Sequence, residues 1–212
     1  TDHATPRRTT PGTDQRRRIG MSSAKARNTA ARWAGAPFGP TTSIRQAPSC
    51  SGKEGAFEWT AFRLETLAVY DVEEEAEEMA RFLADEPMGP EWDDDPWVRS
   101  MTDRGKRVSR IHVLTSPLTD YLRYELAAYP GNVTAGETIG ILDKAEQDVT
   151  GLPDHDFWLF DDRDVYRMHY APEGAFTGAE LLPAHRLAEY RGYRDRALAE
   201  AVPFADYWER HH

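Results

Sequence analysis

The residues most able to do chemistry lie around one histidine late in the chain. His155 is flanked by Asp154 and Asp156, and Asp162 follows seven residues after it. A histidine can act as a nucleophile or a general base, and a neighbouring carboxylate can orient it. Aspartates in turns are also ordinary turn residues, so the same pattern fits a purely structural role.

Two further pairs of charged residues have the spacing that places side chains on one face of a strand. Arg110 precedes His112 by two residues, and Arg167 precedes His169 by two. Cations and imidazoles on two strands could line a pocket for an anionic ligand, or could simply face solvent. The predicted ligand or interaction site comprises seven residues, namely His155, Asp156, Asp162, Arg110, His112, Arg167 and His169.

Familiar catalytic and cofactor motifs are missing from the sequence. It contains no phosphate-binding glycine loop, no dinucleotide fingerprint and no serine nucleophile elbow. The single cysteine, Cys50, excludes an intramolecular disulfide and a cysteine-rich zinc site. The aspartates near His155 lack the spacing and central glycine of a calcium loop. We therefore predict no catalytic residue, no metal site and no cofactor.

The spacing of His155 and Asp162 resembles the His-x-Lys-x4-Asp motif of the phospholipase D superfamily. In that superfamily the histidine attacks phosphorus, the lysine holds the phosphate and the aspartate supports the site. Here Phe157 stands at the lysine position, and the Gly-Ser-x-Asn that follows the motif is absent. A phosphoryl site without its cation loses its main charge stabilisation. The resemblance therefore favours a degenerate, non-catalytic half-domain.

The pattern of hydrophobic residues predicts the elements that carry these side chains. Alternation over 107–115 predicts a strand, Ser116-Pro117 opens a helix that ends at Pro130-Gly131, and residues 138–142 form a second strand. A strand, helix and strand connected in this way form a parallel crossover. Residues 157–160, 165–170 and 175–182 predict a three-stranded antiparallel meander.

Helices complete the predicted domain. They are expected after Asp71, after Asp95 and over 183–201, while residues 57–67 are interpreted as a lead-in that packs onto the body. The predicted fold class is α/β (α+β), a single domain with a mixed five-stranded sheet, one β-α-β crossover, a three-stranded meander and flanking helices.

Charge divides the chain into two parts. Residues 1–53 hold ten Lys and Arg and only two Asp, lack periodic apolar residues, and are predicted to be a disordered basic tail in which Met21 could be the true start. Residues 54–212 are predicted to be an acidic globular domain, with 16 Lys and Arg against 34 Asp and Glu.

An acidic body repels phosphate backbones, so we expect no direct nucleic-acid binding. No apolar run approaches the roughly 18 residues of a membrane-spanning helix, and a cytoplasmic location is expected.

Three longer stretches resemble one known family. Residues 61–67 (AFRLETL), 118–126 (LTDYLRYEL) and 154–161 (DHDFWLFD) are similar to a small actinobacterial family described only as a domain of unknown function, number 6879 in that series. The similarity covers the acidic body from about residue 56 to 208 and none of the tail. It implies no activity or cofactor. Its members resemble intracellular proteins that are often encoded near helix-turn-helix regulators, which implies a regulatory or accessory role.

Two functional hypotheses follow from these observations. The first is a cytoplasmic, non-enzymatic regulatory or protein-interaction domain, accessory to a transcriptional regulator, with a partner surface formed by large aromatics from among Trp59, Trp92, Trp97 and Trp208. The second is a divergent phosphodiesterase-like or small-ligand enzyme with a site around His155 and Asp162. It needs these two residues to converge with Arg110 and Arg167. On the first hypothesis His155 is structural, hydrogen-bonds a neighbouring carboxylate, and has a raised pKa as a result.

Overall fold

A computed structural model describes residues 57–89 and 92–211, within which one mixed sheet organises the chain. The predicted basic tail, including Met21, lies outside the described residues. The described sheet has seven strands, which are β1 (Thr60–Glu65), β2 (Arg107–Leu114), β3 (Thr138–Asp143), β4 (Phe157–Phe160), β5 (Asp164–Tyr170), β6 (Phe176–Leu181) and β7 (Val202–Pro203).

The strand order across the sheet is β6-β5-β4-β1-β2-β3-β7. Strands β1, β2 and β3 run parallel, whereas β4, β5 and β6 form an antiparallel meander that joins the parallel half where β4 pairs with β1. The predicted parallel connection between β2 and β3 and the predicted meander are both confirmed.

Five helices cover the two faces of this sheet within the described residues. They are α1 (Ala76–Leu83), α2 (Pro96–Thr102), α3 (Asp120–Thr134), α4 (Leu187–Glu200) and α5 (Phe204–His211). Helix α4 packs through Tyr190 and Ala197 onto apolar side chains of β1, β2 and β4. Helices α2, α3 and α5 contribute to the apolar clusters of the opposite face, and α1 lies against α3. None of these helices is long and apolar enough to cross a membrane.

The predicted count of five strands is wrong because two strands were not recognised. Strand β1, interpreted as a lead-in, is the central strand of the sheet. Arg63 and Glu65 alternate with Phe62 and Leu64 along the strand, yet all four side chains are buried. The alternation of charged and apolar residues therefore does not mark one solvent-exposed and one buried face. Strand β7 has two residues, too few for any periodicity. It follows α4, which lies within the helix predicted over 183–201, and precedes α5, which the sequence pattern does not predict.

The boundaries of α3 also differ from the prediction. Thr119, rather than Ser116, caps the helix by accepting a hydrogen bond from Leu122 N at 3.1 Å. The helix continues through Pro130 to Thr134. The predicted start of α2 is confirmed, since Asp95 accepts from Val98 N at 2.8 Å with Pro96 in the first turn.

Candidate functional site

Charged side chains that would ordinarily face water are buried between the sheet and α3. We call this set the buried ion cluster, and its members are Arg63, Glu65, Arg110, His112, Glu125, Glu137 and Asp156. Arg63, Glu65, His112 and Asp156 are completely buried, and only 13% of the Glu125 side chain is exposed. Burial of so many charges is costly unless they pair with one another.

Strand register brings the cluster together. The parallel pairing of β1 with β2 sets Arg63 beside Arg110 and Glu65 beside His112. Residues two apart share a face, so all four side chains point towards α3. Helix α3 adds Glu125 to this face, because Glu125 lies one helical turn from the buried Leu122 and Tyr129.

Glu65 is the centre of the ion pairing. Its Oε1 lies 2.7 Å from Arg63 Nη1, and its Oε2 lies 3.0 Å from Arg110 Nη1. Arg110 also pairs with Glu137, with 3.0 Å between Arg110 Nε and Glu137 Oε1, and lies 3.5 Å from Glu125. Asn132 Nδ2 donates to Glu137 at 2.8 Å.

Asp156 joins the cluster at the entrance to β4. Its carboxylate lies 3.7 Å from Arg63 and accepts hydrogen bonds from Tyr70 (2.6 Å), Tyr170 (3.1 Å) and the backbone N–H of Thr66 (2.7 Å). Burial raises the pKa of Asp156, although Arg63 acts in the opposite direction.

The electrostatics of the other acidic members are unequal. Burial alone would raise the pKa of Glu65, but Arg110, Arg63 and His112 hold it below the ordinary value. Burial and the nearby charge of Glu65 raise the pKa of Glu125 well above the ordinary value. Glu65 is therefore held in its ionised form, whereas nearby cations compensate less well for a negative charge on Glu125.

His112 is neutral near pH 7. Burial lowers its pKa to about 4, even though Glu65 favours the charged form. Its Nδ1 lies 2.6 Å from the hydroxyl of Tyr129. An uncharged imidazole beside two carboxylates can act as a base, a hydrogen-bond partner or a metal ligand. Among the described residues, Glu65, His112 and Glu125 form a group whose potential ligand atoms all lie within 4.8 Å of one another.

The other predicted residues lie on the opposite face of the sheet. Arg167 is the register partner of Phe157, and both point towards α4. His155 lies on this side as well, with its Nε2 2.8 Å from the hydroxyl of Tyr190 and its Nδ1 3.3 Å from Asp154. His169 also faces this side, 3.4 Å from Glu180.

The expected contact of His155 with a carboxylate is present, but the expected direction of its pKa is wrong. Burial lowers the pKa of His155, and this effect outweighs the hydrogen bond to Asp154. The nearby positive charge of Arg167 acts in the same direction as burial.

His155 precedes β4 and Asp162 follows it, so the two residues lie at opposite ends of this strand. The Asp162 carboxylate lies 3.0 Å from Arg191 Nε and also pairs with Arg194, both on α4. The neighbouring Asp161 accepts backbone hydrogen bonds from Glu58, Trp59 and Thr60.

The predicted site residues thus separate into groups. Arg110, His112 and Asp156 lie in the buried ion cluster, whereas His155, Arg167 and His169 lie on the α4 face and Asp162 is held by two arginines of α4. Sequence reasoning did not include Arg63, Glu65, Glu125 or Glu137. The spacing of two between Arg63 and Glu65 was the available signal, but it acquires meaning only when residues 60–65 are recognised as a strand.

A family model described as "Domain of unknown function (DUF6879)" matches residues 54–209, which confirms the resemblance seen in the three sequence stretches. Among curated proteins and solved structures, no similar chain was found.

Proposed function

Because the chain belongs to this family, whose description states no activity, we propose from its own residues that it is a non-enzymatic, regulatory protein-interaction domain. The observation that carries the proposal is the side chain of Trp59, which is 68% exposed at the start of the central strand. Tryptophan is the residue type most enriched among side chains that dominate binding energy at protein interfaces.

Trp59 differs in this respect from the other candidate tryptophans. Trp92 stacks against Phe82 and Tyr124, and Trp97 and Trp208 pack at least partly against apolar clusters. These three have structural roles, so a partner surface formed by all four is not supported. The proposal therefore rests on Trp59 alone.

The backbone that carries Trp59 is held in place. Asp161 Oδ1 accepts from the N–H groups of Trp59 (2.6 Å) and Thr60 (3.0 Å), and Oδ2 accepts from Glu58 N (2.7 Å). On the other side, Arg107 N donates to Trp59 O at 2.9 Å. A partner that covers the indole would have little backbone entropy to remove, which favours affinity.

Charge supports a basic partner. Residues 54–212 hold 34 Asp and Glu against 16 Lys and Arg, a surplus that attracts basic surfaces and repels phosphate backbones. A transcriptional regulator, as the family resemblance implies, is the partner class that we propose. Electrostatic attraction of this kind acts mainly on the association rate and weakens as salt is added.

The test compares two variants of the full chain as bait in the native host. Trp59→Ala removes the exposed indole, whereas Leu198→Ala removes a side chain that is 43% exposed on α4 and serves as a matched control. We expect wild type and Leu198→Ala to recover the same protein and Trp59→Ala to lose it. With the purified partner, Trp59→Ala should raise Kd about 30-fold, the equivalent of the 2 kcal/mol typical of a dominant interface residue.

Equal recovery by all three baits would contradict the proposal, as would an unchanged Kd for Trp59→Ala. Both variants should melt within about 2 °C of wild type, because an exposed side chain away from special features contributes within about 0.5 kcal/mol. This measurement separates loss of binding from loss of folding.

A second candidate is a small-ligand role on the α4 face, favoured by the placement of His155, Arg167 and His169 on that face, where Arg167 and His169 act electrostatically on His155. Phosphodiesterase-like chemistry through His155 and Asp162 has less support, because Arg191 and Arg194 occupy the carboxylate of Asp162. Hydrolysis of bis(4-nitrophenyl) phosphate by the purified chain, abolished by His155→Asn but not by His185→Asn, would favour the enzyme over the interaction domain.

A further inference from the structure

We propose that Glu65, His112 and Glu125 bind a divalent transition-metal ion such as Zn²⁺. The site would lie inside the buried ion cluster, between the ends of β1 and β2 and helix α3. It is independent of the Trp59 surface and of the partner proposed above.

The three potential donor atoms already lie near the spacing that an ion requires. His112 Nδ1 is 3.6 Å from Glu125 Oε2 and 4.0 Å from Glu65 Oε2. A tetrahedral ion with ligands at about 2.1 Å holds its donors about 3.4 Å apart. The carboxylates of Glu65 and Glu125 lie within 4.8 Å of each other, so side-chain movements of roughly one ångström would complete this geometry.

Two of the ligands are positioned by the sheet. Glu65 and His112 are register partners on adjacent parallel strands, and both side chains are completely buried. Glu65 is also fixed by Arg63 on one oxygen and by Arg110 on the other. Well-supported ligands of this kind lower the cost of forming a metal site.

Glu125 supplies the observation that points to a missing ligand. Its Oε2 is a buried atom with no hydrogen-bond donor among the described residues, although it faces His112. A buried polar atom without a donor is costly and calls for an explanation. Since 13% of the Glu125 side chain is exposed, the site lies close to the protein surface.

The charges of the cluster leave room for a dication. Its carboxylates are Glu65, Glu125, Glu137 and Asp156, whereas its guanidinium groups are only Arg63 and Arg110. An ion that binds Glu125 displaces the proton of its carboxyl group; with every carboxylate then ionised, two negative charges would remain uncompensated, and one divalent ion would neutralise them. The nearby arginines therefore do not rule out a cation, because they already have more carboxylates than they can neutralise.

The hydroxyl of Tyr129 is positioned to be the fourth ligand of the ion. This hydroxyl lies 2.6 Å from His112 Nδ1 and 3.5 Å from Glu65 Oε2. An ion bound to Nδ1 would replace this hydrogen bond, and the phenol oxygen is near enough to become the fourth ligand. An imidazole donor favours Zn²⁺ and similar ions over Mg²⁺ and Ca²⁺, which prefer oxygen ligands alone.

The experiment is equilibrium dialysis of the full chain, first stripped with a chelator, against ZnCl₂ and separately against MgCl₂. We expect one Zn²⁺ per chain, at least tenfold weaker binding of Mg²⁺, and at least a tenfold loss of Zn²⁺ affinity in Glu125→Gln. Two matched controls should keep wild-type affinity. Glu200→Gln changes an exposed carboxylate of α4 that pairs with Arg196 at 3.1 Å, and His211→Ala removes a surface histidine that pairs with Glu146 at 2.9 Å.

Zinc K-edge absorption of the loaded wild-type chain gives a measurement that requires no variant to fold. We expect one imidazole and two or three oxygen ligands with no sulfur. Absence of Zn²⁺ binding by wild type, a sulfur ligand, or equal affinity in Glu125→Gln and Glu200→Gln would overturn the proposal. Loss of affinity in His211→Ala instead would identify an adventitious ion only and would also overturn it.

Discussion

Replacing Asp161 with asparagine should lower the free energy of unfolding by about 2–3 kcal/mol, the usual scale for a lost hydrogen bond to a charged group. Oδ1 of Asp161 accepts two backbone hydrogen bonds, from Trp59 and Thr60, and Oδ2 accepts a third from Glu58. Asparagine has one carbonyl oxygen. Its amide group would therefore turn a donor towards the N–H of Glu58, so that one bond is lost and the other two are weakened.

The adjacent Asp162 provides a matched control. Asp161 has φ +51° and Asp162 has φ +52°, a conformation that asparagine adopts as readily as aspartate. The side chain of Asp162 is 45% exposed and pairs with Arg191 and Arg194. Exposed pairs contribute about 0–1 kcal/mol, so Asp162→Asn should cost no more than that.

Urea unfolding at pH 7, followed by tryptophan fluorescence, measures both variants. For a domain of this size, 2–3 kcal/mol corresponds to a Tm lowered by roughly 5–10 °C. Equal losses in the two variants, or a larger loss in Asp162→Asn, would refute the assignment of Asp161 as the residue that fixes the start of β1.

The same contact predicts a pH dependence. Burial would raise the pKa of Asp161, but the backbone N–H groups that it accepts from lower it overall. A lowered folded-state pKa gives stability that is present above the unfolded-state value near 3.9 and is lost as pH falls through the folded-state value. The difference between wild type and Asp161→Asn should therefore diminish below about pH 4.

Three further predictions concern the core and the two faces of the sheet. Arg110→Met should destabilise the domain by about 3–5 kcal/mol in urea, because it leaves buried carboxylates unpaired. Gly131→Ala should reduce the yield of folded protein or lower Tm by several degrees, since a Cβ there would lie 2.2 Å from Trp92 O. By contrast, a Cβ at Gly192 on α4 would meet no atom within 4 Å, so Gly192→Ala should raise the free energy of unfolding by about 0.5–1 kcal/mol. Burial lowers the pKa of His155, so its contribution to stability is present above pH 6.5 and is lost as pH falls through the lowered pKa. When Tm is measured as a function of pH, His155→Asn should therefore lack this loss of stability in acid.

Local patterns were sufficient to predict the parts of the fold with regular chemistry. The parallel crossover and the meander have apolar periods and turn residues that act within a few positions of each other. Strand β1 was not recognised because Arg63 and Glu65 are buried by partners that are distant in sequence, a fact that no local window contains.

The candidate site was predictable only in part for the same reason. Arg110 and His112 were selected by their spacing, and they do share a face of β2. Their partners come from other elements, and only strand register shows that Glu65 lies beside His112 while Arg167 points to the opposite side. Charge, residue type and spacing identify candidate residues, but strand pairing in the folded sheet determines which of them lie close together.

The central place of β1 has a consequence for how this chain folds during synthesis. Thr60 of β1 is bonded to Asp161, 101 residues later in the chain. At a synthesis rate of roughly 5–20 residues per second, the edge of β1 that receives β4 waits roughly 5–20 s for its partner. During that interval an open strand edge is exposed next to Arg63, whose partner Asp156 has not yet been made. A nascent chain stalled before residue 156 should therefore be prone to aggregation and depend on chaperones, whereas the completed chain closes this edge.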